Sequence, residues 1–159
     1  MNPVVHFEMP YDDSGRIGKF YQAAFGWKIK NLGEKMGDYV LVTTTESKSD
    51  GTPKDSGKIN GGFFPKKADW PAQYPNVVIA IDDINDAMDK IRGAGGEVLG
   101  EPMEIPGYGM YVSFTDTEGN RVALMEPTPM MQDNANGPAK KAASKKPAKM
   151  AAKKKAKRL

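Results

Sequence analysis

The chain has no cysteine and only one histidine, and those two scarcities exclude a great deal of chemistry. Without thiols there is no disulfide, no thiolate nucleophile and no Cys-based zinc site. A lone histidine rules out a two-histidine, one-carboxylate iron site within one subunit. Long apolar runs are missing too: nothing approaches the roughly 20 residues that span a bilayer. Met1-Asn2-Pro3 leads straight into a strand-like segment, without the basic start and apolar core of a signal peptide. A soluble cytoplasmic protein with no membrane partner is therefore expected. Acid is absent from one region. Residues 137–159 carry ten of the 23 basic side chains and none of the 20 acidic ones, which leaves residues 1–136 at −7. These segments are two different electrostatic objects.

What is present is a duplication. Asp12-Asp13 opens an amphipathic stretch closing at Gly26, and Asp82-Asp83 opens another closing at Gly96, 70 residues on. Between those markers Ile17, Tyr21 and Ala24 fall opposite Ala87, Ile91 and Ala94 without a gap. Such a repeat constrains the fold more than any local signal.

Each copy reads as strand, helix, strand, strand, strand. In the first, Val4 to Met9 is a strand, and Asp12, Asp13 or Ser14 caps a helix. Its apolar residues Ile17, Phe20, Tyr21, Ala24 and Phe25 follow helical spacing, and Gly26 suits a left-handed stop. Trp27 to Lys30, Tyr39 to Thr43 and Lys58 to Phe64 are further strands, separated by a polar loop at 44–58. Gly61-Gly62 suggests a bulge or a close approach. A Pro-containing linker, 65–75, leads to the second copy. There the expected elements are a strand at Asn76 to Ile81, a helix at Asp83 to Arg92 and a short strand at Glu97 to Leu99. A Pro/Gly-rich loop follows from Glu101 to Gly109. The last hairpin joins Met110–Thr115 to Asn120–Glu126 through Asp116-Thr117-Glu118-Gly119. One helix covers only one face of a four-stranded sheet. The expectation is thus an α+β domain over residues 1–130, with βαβββ modules at about 3–65 and 75–127. Their pairing makes a curved eight-stranded sheet with outer helices and an open concave cleft.

The stretch from Asp116 to Pro127 resembles the closing hairpin of the vicinal oxygen chelate superfamily. Phe20-Tyr21 followed by Phe25-Gly26-Trp27 is similar to the end of that family's first helix. The family includes glyoxalase I, extradiol dioxygenases, fosfomycin-resistance enzymes and bleomycin-resistance proteins, and the chain resembles its small bacterial glyoxalase-like members. In metal-dependent members, the first and last strands of each copy supply one ligand apiece. The resemblance places those positions at His6, Asn76, Ala123 and near Asn60 or Gly61. Only His6 carries the family's ligand type, so neither a metal nor another cofactor is expected. A homodimer is implied by the resemblance alone.

His6 and Glu8 share one face of their strand and could form a general acid–base pair, the carboxylate fixing the imidazole tautomer. The alternative is a buried histidine satisfied by a backbone carbonyl. Glu126 lies three residues after Ala123, so it should point away from the cleft and end its strand in solvent. Trp27, Tyr39, Phe63, Phe64, Tyr108 and Tyr111 divide between core packing and a pocket lining. Of these, Trp27, Phe63 and Tyr108 are taken with Asn76 as the ligand-binding set. Gly107-Tyr108-Gly109 resembles a mobile loop bordering the ligand in related proteins; a simple connecting turn is the alternative.

The Lys/Ala/Pro-rich segment 131–159 has too few bulky apolar residues to build a core and is expected to be disordered. It resembles linker-histone tails. Counterion release would drive nonspecific contact with nucleic acid or another polyanion through residues 137–159. The alternative is a tail that folds back on its own acidic domain. Three functions follow. The first is metal-independent binding of a small molecule, of the glyoxalase/bleomycin-resistance type. The second is a lyase or isomerase using His6 and Glu8. The third is association with nucleic acid through the tail.

Overall fold

The computed structural model describes residues 1–128, so the tail assigned to 131–159 lies outside the described residues. The elements are β1 (Val4–Tyr11), α1 (Ser14–Phe25), β2 (Lys28–Asn31), β3 (Val40–Thr43), β4 (Asn60–Pro65) and β5 (Asn76–Ala80). They continue with α2 (Ile84–Gly93), β6 (Glu97–Ile105), β7 (Gly109–Thr115) and β8 (Arg121–Pro127). All eight strands join one sheet in the order β2-β3-β4-β1-β5-β8-β7-β6. Each module's first strand pairs in parallel with its last, β1 with β4 and β5 with β8. The modules meet where β1 and β5 pair antiparallel.

The sequence repeat is visible as a pseudo-twofold axis. Asp13 caps α1 by accepting the Arg16 N–H at 2.8 Å, and Asp83 caps α2 by accepting the Asp86 N–H at 2.9 Å. Those caps are equivalent residues of the two copies. Phe7 stands opposite Val77, its own counterpart in the repeat, at the centre of the β1–β5 ladder. Gly26 ends α1 in the left-handed region at φ 69°.

Strand alternation then sorts the side chains. Phe7, Met9 and Tyr11 of β1 pack towards α1 with Val40, Val42 and Phe63. Ile79 and Ile81 lead into the matching core under α2, with Ile84, Met88, Val112 and Leu124. The opposite, concave face therefore receives His6 and Glu8 from β1 and Asn76 and Val78 from β5.

Three expectations change. The strand expected at Glu97–Leu99 runs on to Ile105, with a register shift between Leu99 and Met103. That bulge, with Gly100 at φ 86°, admits Pro102 without ending the strand. The Pro/Gly-rich loop expected from Glu101 to Gly109 accordingly shrinks to a tight turn, in which the Tyr108 N–H donates to the Ile105 carbonyl at 2.9 Å. Phe20 and Phe25 follow the helical spacing yet stay 59% and 62% exposed, because Ile17 and Tyr21 already cover the α1 core.

Candidate functional site

Glu8 lies on the floor of the concave face and is 6% exposed. The Tyr111 hydroxyl donates to its Oε2 at 2.9 Å, and the Tyr39 hydroxyl to its Oε1 at 3.3 Å. One tyrosine comes from each module, just before β3 and on β7, so both walls reach the same carboxyl. His6 Nε2 stands 2.9 Å from the Tyr39 oxygen. A phenol has one proton; with Tyr39 donating to Glu8, Nε2 must carry a proton and donate to Tyr39. On the far side Arg121 Nη2 donates to Ser113 Oγ at 3.1 Å, and Ser113 reaches the Tyr111 oxygen at 3.4 Å. The line His6–Tyr39–Glu8–Tyr111–Ser113–Arg121 thus crosses both modules.

Burial sets the protonation states along it. It lowers the His6 pKa from 6.5 to about 4, so the imidazole is neutral at physiological pH. It raises the Glu8 pKa, against the hydrogen bonds from Tyr111 and Tyr39 and the charge of Arg121. It also pushes both tyrosines well above the usual phenol range, reinforced by the neighbouring Glu8, and they remain donors. Gly61-Gly62 marks a close approach rather than a bulge, since β4 keeps unbroken register with both neighbours. A side chain at Gly62 would collide with the Tyr39 phenol, and one at Gly61 with the Phe7 ring.

Among the residues chosen from the sequence, His6, Glu8 and Asn76 do share this face, with Glu8 directly opposite Asn76 in the β1–β5 ladder. Tyr108 is half-buried in its turn. Trp27 and Phe63 are on the wrong side. Trp27 stacks on Tyr21 with centroids 4.7 Å apart, in the core under α1. Phe63 is fully buried there, facing Val40 across the β3–β4 ladder. The period-two alternation gives the cleft position to Phe64 instead. Glu126 does point away from the cleft but does not end in solvent; its Oε2 accepts the Ile84 N–H at 2.8 Å, at the start of α2.

Ser113 and Arg121 were missed, and Tyr39 and Tyr111 were not separated from the other aromatics. The signal for Arg121 is spacing: it lies two residues before Ala123 and so on the same face. Its guanidinium lies 4.5 Å from the Trp70 ring centroid and 6.0 Å from that of Phe64. Two buried atoms of this face, Asn76 Oδ1 and Arg121 Nη1, have no hydrogen-bond partner.

The family's metal positions do not fit an ion. Ala123 has no donor atom. The Asn60 side chain is engaged by its own loop, accepting the Thr44 N–H at 2.9 Å and donating to Ser47 Oγ at 2.8 Å and the Gly51 carbonyl at 2.9 Å. His6 Nε2 is directed at Tyr39. Among the described residues, no three His, Cys, Asp or Glu side chains converge.

The fold and this site define a class. The family model for the Glyoxalase/Bleomycin resistance protein/Dioxygenase superfamily matches residues 4–124, and the chain belongs to that superfamily. A stretch of 72 residues is 33% identical to the Mycobacterium tuberculosis protein named "Putative glyoxylase CFP32", covering 45% of this chain but only 27% of that protein. A "Glyoxylase-like domain-containing protein" of Didymella fabae is 26% identical over 118 residues, covering 74% of this chain and 88% of its own. Among solved structures, a variant of Streptomyces coelicolor methylmalonyl-CoA epimerase superposes with TM-score 0.59 at 16% identity, covering 81% of this chain and 96% of the other. The Mycobacterium tuberculosis epimerase gives 0.55 at 14%, over 82% and 91%. At that identity the likeness is one of fold.

Proposed function

We propose that the concave face binds a small organic molecule without a resident metal. One observation carries this reading. A buried carboxyl, Glu8, gathers hydroxyls from both modules on the sheet floor, where the family's ligand positions hold no metal-binding set. A ligand hydroxyl enters by replacing one of the two phenols as donor to Glu8, and the phenol so released can donate to a ligand carbonyl. The test is a thermal-shift and calorimetric screen of a metabolite panel in the presence of a chelator. The expected hit binds wild type, and Tyr111→Phe weakens it about tenfold, the worth of roughly one hydrogen bond near a buried acid. A panel in which every binder requires added metal overturns the reading.

The hydrogen-bonded line from His6 through Tyr39 to Glu8 favours a second reading, proton transfer at a carbon next to a carbonyl. A carboxyl with a raised pKa next to a neutral imidazole is suited to such work. Deuterium uptake from D2O into the bound hit, lost in Glu8→Gln while binding persists, is the expected sign. Binding without exchange in wild type leaves the first reading alone. Contact of residues 137–159 with polyanions is a separate proposal, motivated by their uninterrupted positive charge. The homodimer is likewise a proposal, which light scattering of the full chain tests.

A further inference from the structure

Arg121 is a half-buried cation that no carboxylate pairs with directly. No ion pair of the described residues includes it. Its Nη2 donates to a neutral hydroxyl, its flat face lies against Trp70, and its Nη1 is buried with no acceptor. Both oxygens of Glu8, whose charge acts on Arg121, already accept phenolic hydrogen bonds.

Asn76 Oδ1 is the complementary orphan, buried with no donor. The two residues are neighbours. β5 and β8 run parallel with Val78 beside Ala123. One pleat earlier on the same face, that register sets Asn76 beside Arg121, on strands about 4.8 Å apart. Leaving either buried atom desolvated and unpaired is costly, more so on a charged group. A bridging water would satisfy both hydrogen bonds but not the charge.

We propose that Arg121 and Asn76 form the recognition subsite for a small organic carboxylate bearing an N–H or O–H donor on the adjacent carbon. The carboxylate accepts from Nη1 and gives the guanidinium a direct charge partner; the neighbouring donor reaches Oδ1. Trp70 belongs to the linker between the modules and covers the guanidinium. Lys67 Nζ lies 4.3 Å from the same ring centroid, which ties that cover to the exposed linker rather than to the sheet. Admission of a ligand therefore needs Trp70 to lift, not the sheet to open. This inference rests on the reading of the concave face as an organic-ligand site and names its chemistry.

N-acetylglycine carries both features, acetate only the charge, and N-methylacetamide only the amide. Calorimetric titration of the full chain is expected to show N-acetylglycine binding at least tenfold more tightly than either partial probe. Asn76→Ala should reduce it to the acetate level. Arg121→Met should lose it at least tenfold, with Arg121→Lys recovering part. Asn76→Asp, which puts a resident carboxylate beside Arg121, should abolish it in a chain that remains folded by thermal midpoint. Equal affinity for the three probes, no binding of any of them, or binding indifferent to Asn76→Ala and Arg121→Met overturns the subsite. If a panel hit sensitive to Tyr111→Phe still binds both variants unchanged, the subsite alone is wrong and the wider site stands. If nothing organic responds to any of these positions, both are wrong.

Discussion

At His6 and Glu8, burial acts on two groups of opposite charge type and so couples stability to pH in opposite senses. The folded His6 pKa is about 4 against an ordinary 6.5, so the unfolded chain takes up that proton first as pH falls. Its contribution is complete above about 6.5 and is lost towards 4. The Glu8 pKa is raised above 4.5, so the folded chain keeps a proton that the unfolded chain releases. Stability then falls as pH rises past 4.5, until folded Glu8 itself ionises. Each effect has a limiting slope of about 1.4 kcal/mol per pH unit. Urea unfolding across pH is expected to show His6→Gln removing the acid-side loss and Glu8→Gln removing the opposing trend. A His6→Gln profile parallel to wild type between pH 4 and 6.5 contradicts the account of a buried neutral imidazole. Gly62→Ala is expected to cost about 1–3 kcal/mol by overpacking the Tyr39 phenol. It should also lower affinity for any cleft ligand, measured on the same protein.

This residue scale is where the sequence was most unevenly legible. Alternation from Val5 and Phe7 suffices to put His6 and Glu8 on one face. The same rule, counted back from Ala123, reaches Arg121, a residue that looks like an ordinary charge in a hairpin. Alternation cannot say which tyrosines bend over the floor. That follows from sheet curvature, which brings β3 and β7 above β1 although neither is its neighbour.

Among the elements, the helices were legible because their caps are chemical. Asp13 and Asp83 each accept the N–H three residues on, and Ala at either position is expected to cost about 1 kcal/mol in chemical denaturation. Glu126 adds a second acceptor at the start of α2 that α1 lacks, so Glu126→Ala should destabilise the second module beyond what strand propensity predicts. Hydrogen exchange would show the loss concentrated in α2. Strands were harder. Phe63 and Phe64 are adjacent aromatics, and only the β3–β4 register decides which one enters the core. Phe63→Ala is therefore expected to cost about 3–5 kcal/mol of stability, as for a buried ring. At temperatures where it is folded, it should leave ligand affinity unchanged. The continuation of β6 through Pro102 was hidden for a similar reason: a bulge at Gly100 removes the conflict that proline would otherwise create.

Across the whole molecule, the duplication makes one object of two halves that could not cover their own sheets. The hydrogen-bonded line through Glu8 belongs to neither half, since its tyrosines come one from each. The basic segment is chemically apart from this, and among the described residues no helix is long and apolar enough to cross a membrane. Truncation after Asp133 is expected to abolish retention of the chain on DNA, and full-length retention should collapse between about 50 and 200 mM salt. Equal retention of the truncated form would remove the polyanion proposal without touching the cleft.

The central claim is that the concave face serves organic ligands with no metal of its own. Native mass spectrometry of the untagged full chain, after incubation with zinc, nickel, manganese and iron and then desalting, tests it most directly. The account predicts that wild type and His6→Gln each appear at the mass of the bare chain, with no retained ion. One ion per chain, held by wild type and lost in His6→Gln, would contradict it.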